Sequence, residues 1–481
     1  MGDEEEEMSM VDPKPVAFTR FFEYNTTRDN WMMTIGTIAA IIAGLFLPSI
    51  ALIMATIAQN FGDDTQSAQE MSEVIAKTSK LVAGVAVIIA VFAYIFFAFW
   101  QHLAENISLN LRKLYLRALL KQEVAYFERI KIEEIPSKMG EIFETVQSSV
   151  GEKYANLIFA VFTGIGGCVF AFMTGKSYTL ALIAYLPVFF LILGTFGILV
   201  KKITQEKFDI IKQMGGVVSE TLYAIKVVAS FGQETKELNK FKKWTDKTES
   251  VGKKFQCRLA FMVAIMKCAI FSFYTFSFYV GSYFILNEYR NSTNGGELYT
   301  AQDVLTVLIA LITGFLSLIA ALPNIQAVMA AKQVGGEIFS VIDRVPVIRD
   351  MPGAQSHYTL EDKIVFSNVS FKYPTAPKEM RNLFDSVSFK IKAGESTAIV
   401  GPSGFGKSTI VQMIERFYQP VKNIDGTMGS ITFDGLDIQK ILLKDLRESI
   451  GYVPQEPTLI IGTIRENLLF GNKDATDEEL V

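Results

Sequence analysis

Apolar residues are gathered into long stretches that carry no charge at all: 30–62, 81–104, 154–175, 177–200, 268–287 and 304–331. The shortest holds 20 residues and the longest 33. A helix needs about 20 apolar residues to cross the hydrocarbon core of a bilayer. A helix buried in a soluble core would be shorter and would keep a polar face. The pattern therefore predicts six membrane spans, at about 31–59, 80–101, 155–175, 177–200, 266–287 and 303–331. The first is too long, starts too far into the chain and has too acidic a flank to be a cleaved signal. Pro48, Pro187 and Pro323 lie inside spans and read as tolerated kinks. Lys267 stands at the edge of the fifth and reads as a snorkelling cation, because the uncharged run beyond it already suffices to span.

The connections divide sharply. Segments 102–156 and 201–258 are 55 and 58 residues long. In Ile107 to Leu120 apolar residues recur three and four apart among good helix formers, and 205–250 has the same character. Both segments predict helical hairpins that carry the membrane helices far beyond the bilayer. They hold eight and thirteen Lys and Arg, against three in the short connections 60–78, 174–178 and 288–302. Positive charge collects on the cytoplasmic side. Both hairpins and both termini are therefore expected there. N-glycosylation sequons begin at Asn25, Asn106, Asn291 and Asn368, and of these Asn291 falls on the predicted outer side.

From Asp343 the chain changes. Asp343 to Gly353 is a charged linker punctuated by Pro and Gly. Ile364 to Tyr373 reads as one strand, Val387 to Ile391 alternates as another, and Thr397 to Val400 is a short run expected to be a buried strand. That run leads into Gly401, Pro402, Ser403, Gly404, Phe405, Gly406, Lys407 and Ser408, and then into a helix from Thr409. The octapeptide fits the phosphate-binding loop G-x-x-x-x-G-K-[ST], here between a strand and a helix as the motif requires. Glycines let the backbone N–H groups turn inward around phosphates. Lys407 supplies charge to the β and γ phosphates, and the Ser408 hydroxyl suits Mg²⁺. ATP and Mg²⁺ are the ligands this chemistry calls for, with Gly401 to Ser408 and Thr409 expected to bind the nucleotide.

Composition narrows the alternatives. The 481 residues are 50% hydrophobic and 20% charged with a net charge of −4, which excludes a disordered chain and gives no sign of a nucleic-acid partner. Cys168, Cys257 and Cys268 have no metal-site spacing, and His102 and His357 are too few for a multi-histidine centre. The run Asp3 to Glu7 reads as a solvated acidic tail.

Taken with the phosphate loop, six spans and two long hairpins followed by a nucleotide cassette resemble an ATP-binding cassette transporter of the B type, the multidrug-exporter class typified by P-glycoprotein. Phe371-Lys-Tyr-Pro374 is similar to the aromatic loop that precedes the cassette, which implies that Tyr373 stacks on adenine. Gly451-Tyr-Val-Pro-Gln-Glu-Pro457 resembles the Q-loop, which implies that Gln455 reaches Mg²⁺. Thr463 to Asn467 resembles the segment that follows it. Ala224 to Gln233 with Glu237 resembles the second hairpin, whose short coupling helix docks on a cassette. Pro323 to Gln326 resembles the cytoplasmic end of the sixth span. Phe405 departs from the family, where a small residue is usual, and is expected to crowd the site.

The resemblance implies a cytoplasmic tail over 1–30, a transmembrane domain over 31–335, a linker over 336–362 and a partial nucleotide-binding domain over 363–481. The fold class is thus a six-span α-helical exporter domain followed by an incomplete α/β P-loop domain. It also implies an integral membrane protein, by family default in the plasma membrane, with the lipid bilayer, a hydrophobic or amphipathic substrate and a second transporter half or cassette as partners. No Leu-Ser-Gly-Gly-Gln signature occurs, neither His follows the phosphate loop, and Ile431 to Asp434 is too short and too early to be the Walker B strand. Residues 1–481 are accordingly expected to end inside the cassette and not to hydrolyse ATP alone. Two functions stay open: ATP-driven export, or a non-hydrolysing membrane protein that binds nucleotide weakly or not at all.

Overall fold

The computed structural model describes residues 14–61, 68–130, 132–291, 299–356, 359–377, 379–423, 425–456 and 458–480. The acidic start, His357, and Ser292 and Thr293 of the Asn291 sequon lie outside the described residues. After a 3₁₀ turn at Phe18–Phe22 come α1 (Thr27–Phe46), α2 (Ile50–Phe61), α3 (Ala68–Leu119), α4 (Val124–Arg129), α5 (Ile135–Ser148) and α6 (Tyr154–Thr174). They are followed by α7 (Lys176–Ile183), α8 (Leu186–Tyr223), α9 (Ile225–Ser230), α10 (Glu234–Asn291), α11 (Ala301–Ala320) and α12 (Leu322–Ile342). The last third holds β1 (Lys363–Phe371), β2 (Phe384–Lys392), α13 (Lys407–Ile414), β3 (Ser430–Phe433), β4 (Leu436–Asp437), α14 (Leu443–Glu448) and α15 (Ile464–Leu469).

Among the described residues five helical stretches are long and apolar enough to cross a membrane: Thr27–Ile57, Ser72–Leu119, Ile132–Thr174, Glu234–Leu286 and Ala301–Ile342. They coincide, to within two residues at their ends, with or enclose the first, second, third, fifth and sixth predicted spans. The fourth, 177–200, is helical in two pieces, α7 and α8, and is not one of the five. Proline explains the break. It lacks the N–H that would continue the helix, and its ring collides with the carbonyl four residues back. Pro187 sits in the first turn of α8. Pro48 sits in the 3₁₀ turn Leu47–Ser49 between α1 and α2, and Pro323 in the first turn of α12. The prolines expected to kink spans thus restart them.

The chain forms two compact units. One comprises Lys14–Asn110 and Glu144–Gly335. Here α6 packs against α1 and α11. Small residues bring the backbones together: a Cβ on Gly167 would stand 2.5 Å from the Ala310 carbonyl oxygen, and one on Gly44 would stand 2.7 Å from that of Phe159. A buried cluster around Tyr178, Leu182, Phe273, Val307 and Leu311 ties α7 and α10 to α11. Thr26 with Asp29, and Thr300 with Asp303, form capping boxes that start α1 and α11. The Asn106 amide donates to Asp29 Oδ1 at 2.8 Å, fixing the foot of α1 to α3.

The long helices realise the predicted hairpins. With 52 residues in α3 and 58 in α10, they are about 78 and 87 Å long at 1.5 Å per residue, far beyond a ~30 Å hydrocarbon core. The second hairpin turns through α9, inside the stretch Ala224 to Gln233 that the sequence marks as a coupling element. Near that turn Glu237 accepts from the Thr221 hydroxyl at 3.1 Å and pairs with Lys240 at 3.7 Å.

The other unit holds Leu111–Phe143 and Gly336–Val481. Its four strands form an antiparallel sheet in the order β2-β1-β3-β4. Ile364 of β1 faces Ile391 of β2 on one side and Phe433 of β3 on the other. Phe366, Val369, Phe371, Ile431 and Phe433 turn into a core completed by Met413, Tyr418, Ile441 and Leu446. A bulge interrupts the expected alternation of β1, with Asn368 at φ 48°. The linker is docked on this core: Ile348 is buried, and the buried Arg416 donates to the carbonyls of Arg349, Ile438 and Ile441.

Candidate nucleotide site

The site is built where the chain enters α13. Gly404 and Gly406 take φ of +85° and +82°, values at which a side chain is strained, so the loop needs glycine there. Gly406 is the N-cap of α13. The first N–H groups of a helix have no carbonyl four residues back, and they face whatever the loop encloses. Lys407 Nζ folds over the loop and donates to the carbonyls of Gly401 at 3.0 Å and Pro402 at 2.7 Å. Ser408 is exposed beside it. A positive charge, a free hydroxyl and a helix N-terminus thus converge, which is what a phosphate chain carrying Mg²⁺ requires.

Tyr373 is brought to this loop. It lines a cavity of about 330 Å³ with Lys372, Met380, Arg381, Gly404 and Phe405. Its hydroxyl shares a 2.6 Å hydrogen bond with the hydroxyl of Thr409, the residue after the loop. Its ring meets Phe371 and Tyr418 edge-on, with centroids 5.0 and 5.4 Å away. Phe405 is 70% exposed at the same cavity, so it does not crowd the loop interior as the sequence predicts. The cavity suits an aromatic base, and the loop beside it suits the attached phosphates.

Other assignments fare differently. Thr409 is buried and its hydroxyl is taken by Tyr373, so this side chain braces the platform instead of reaching a ligand. Gln455 is exposed, and no described contact joins it to the loop. Thr397 to Val400, expected as a buried strand, is neither: no described strand lies beside it to complete a ladder, and Val400 is 90% exposed. Asp434 accepts from the backbone N–H groups of Glu361, Asp362 and Lys363, so it ties the turn after β3 to the start of β1.

One set of contacts has no motif in the sequence. The tip of the first hairpin, α4, docks on the cassette. Arg344 forms a bidentate ion pair with Glu123, with Nη1 3.0 Å from Oε2, and its guanidinium lies 4.9 Å from the Tyr126 ring centre. Arg129 Nη2 donates to the Pro374 carbonyl at 2.7 Å, and the Tyr418 hydroxyl donates to the Glu128 carboxylate. Burial, reinforced by Glu128, raises the Tyr418 phenol far above its ordinary value, so it stays a donor. The signal available was only the break of the helical pattern at Leu120; the partners lie more than 200 residues away.

Membrane helices joined to a phosphate-loop domain define a membrane protein with a nucleotide-binding domain. The family model for the ABC transporter transmembrane region matches residues 33–319, and that for the ABC transporter matches 384–481. The chain belongs to the ABC transporter family. It is 28% identical over 470 residues to ABC transporter B family member 2 of Dictyostelium discoideum, covering 97% of this chain and 33% of that protein. It is 30% identical over 473 residues to ABC transporter B family member 21 of Arabidopsis thaliana, covering 97% of this chain and 35% of that protein. The chain spans about a third of the length of these curated relatives.

Proposed function

We propose that this chain binds MgATP at its phosphate loop and uses it to drive hydrophobic or amphipathic molecules out across a membrane, together with a second transporter half or cassette. The observation that carries the reading is the convergence of Tyr373, Gly404 and Phe405 on one cavity next to Lys407. Tyr373 would hold adenine, the N–H groups of residues 404–409 and Lys407 the phosphates, and Ser408 with Gln455 the Mg²⁺. Lipophilic cargo is supported by the membrane unit, where α6 carries an almost wholly apolar groove of about 600 Å³ lined by Val161, Ile165, Val169, Phe172 and Leu318. Both termini are assigned to the cytoplasm by the Lys and Arg distribution.

The test is equilibrium binding of a fluorescent ATP analogue to the full chain in lipid nanodiscs, with uptake of a lipophilic dye into inside-out vesicles as the transport arm. Lys407→Ala removes a charge-assisted contact to phosphate and is expected to weaken binding by about tenfold or more. Wild-type affinity in that variant would overturn the assignment.

A further inference from the structure

Two consecutive residues of α4 grip the two flanks of Tyr373. Arg129 holds the carbonyl of Pro374, the next residue in the chain, at 2.7 Å. Glu128 holds the hydroxyl of Tyr418, whose ring stands edge-on to Tyr373 at 5.4 Å. Tyr418 is 4% exposed and is wedged between Phe371 and Tyr373, so its ring has no room to turn unless theirs move. Tyr373 in turn is bonded to Thr409, directly after Ser408 of the phosphate loop. Hairpin tip, wedge, platform and loop are therefore one unbroken series of contacts inside a single compact unit.

We propose that Tyr418 is a positioning residue for the base: through its bond to Glu128 it makes adenine binding at Tyr373 depend on the docking of α4. This rests on the nucleotide-binding reading above and names the element that tunes it. When α4 is seated, Tyr418 is drawn toward Glu128 and fixes the edge of the Tyr373 ring. When α4 is displaced, the platform loses both its brace and the anchor on Pro374. Linkage is reciprocal, so a base on Tyr373 stabilises the docked hairpin by the same factor. The phosphate loop is held by its own glycines and by Lys407. Displacing α4 should therefore loosen the base and leave the triphosphate.

The experiment compares MgATP with Mg-tripolyphosphate as ligands of the full chain in nanodiscs. The variants are Tyr418→Phe, which keeps the ring, Glu128→Ala at an exposed position of α4, and the two together. Each single variant is expected to bind ATP roughly fivefold more weakly. The double variant should be no weaker than either single one, because both remove one bond. Tripolyphosphate affinity should stay at the wild-type value. Equal loss for ATP and tripolyphosphate would show general loosening and overturn the proposal, as would unchanged ATP affinity in both single variants. Should Tyr418→Phe fail to fold, Glu128→Ala alone decides. Lys407-dependent ATP binding that ignores these variants overturns only the coupling, whereas no Lys407-dependent binding in the wild type overturns the nucleotide reading and the coupling with it.

Discussion

Phe405 stands in the phosphate loop where its relatives by resemblance keep a small residue, yet its ring lies open at the cavity that Tyr373 lines. An exposed ring beside an aromatic platform gains by covering a base. Stacking of a base on an aromatic side chain is worth about 1–3 kcal/mol. Phe405→Ala is accordingly expected to weaken ATP about fivefold, while tripolyphosphate binds as before. Competition against the fluorescent analogue reads both, and tighter ATP binding in the variant would restore the crowding role. Glu123 offers a test in pH. Burial raises its carboxyl, but hydrogen bonds from Arg344 and the Val347 N–H, with the Arg344 charge, outweigh burial and hold it below the ordinary 4.5. A carboxyl whose folded pKa is depressed adds stability above its unfolded value, and that stability is lost as pH falls through the folded one. The docked hairpin tip should hold its melting temperature from pH 7 to about 5 and lose it below 4.5. Glu123→Gln should lower the plateau by about 2 kcal/mol and flatten the acid limb, which thermal melts at several pH values would show.

Among the described helices, α6 and α11 approach each other closely. A Cβ on Gly167 would lie 2.5 Å from the backbone oxygen of Ala310, and backbone does not yield as a flexible side chain does. Gly167→Leu should destabilise the membrane unit by about 1–3 kcal/mol, seen as a lower melting temperature in detergent, while ATP affinity stays unchanged. An unaltered melt would mean that these helices are free to part. Such contacts mark the limit of what a single sequence shows. Hydrophobic runs revealed the long helices, and alternation revealed β1 and β2, because each is a local periodic property. The phosphate loop was legible because its glycines and lysine are local too. The breaks at Pro48, Pro187 and Pro323 were half legible: proline marks the place, but whether a helix bends or restarts depends on neighbours. Thr397 to Val400 was misread because a strand needs a partner, and pairing is not local. Arg344 and Tyr418 were invisible as site residues for the same reason, since their roles exist only through Glu123 and Glu128, and Thr409, expected at the nucleotide, shows its bond to Tyr373 only in the fold.

At the scale of the whole molecule the fourth predicted span decides the topology. If α7 and the start of α8 did not cross, the second hairpin would face the side opposite the first with its thirteen Lys and Arg, against the bias of positive charge toward the cytoplasm. The α8 helix is 38 residues long, about 57 Å at 1.5 Å per residue, enough to cross and still reach into water. We therefore place Cys257, exposed on α10 within the second hairpin segment, on the cytoplasmic side. A membrane-impermeant maleimide should label it in permeabilised cells or inside-out vesicles but not in intact cells. The Cys257→Ser protein serves as the control for any labelling at Cys168 and Cys268. The sequons give an independent reading. Asn106 Nδ2 donates to Asp29 Oδ1, so that amide is taken on the folded protein, and Asn368 falls on the predicted cytoplasmic side. Glycan mapped to Asn291 agrees with six crossings. Labelling of Cys257 in intact cells would leave an odd number of crossings between α4 and the cassette it touches, and glycan on Asn106 or Asn368 would invert the predicted orientation.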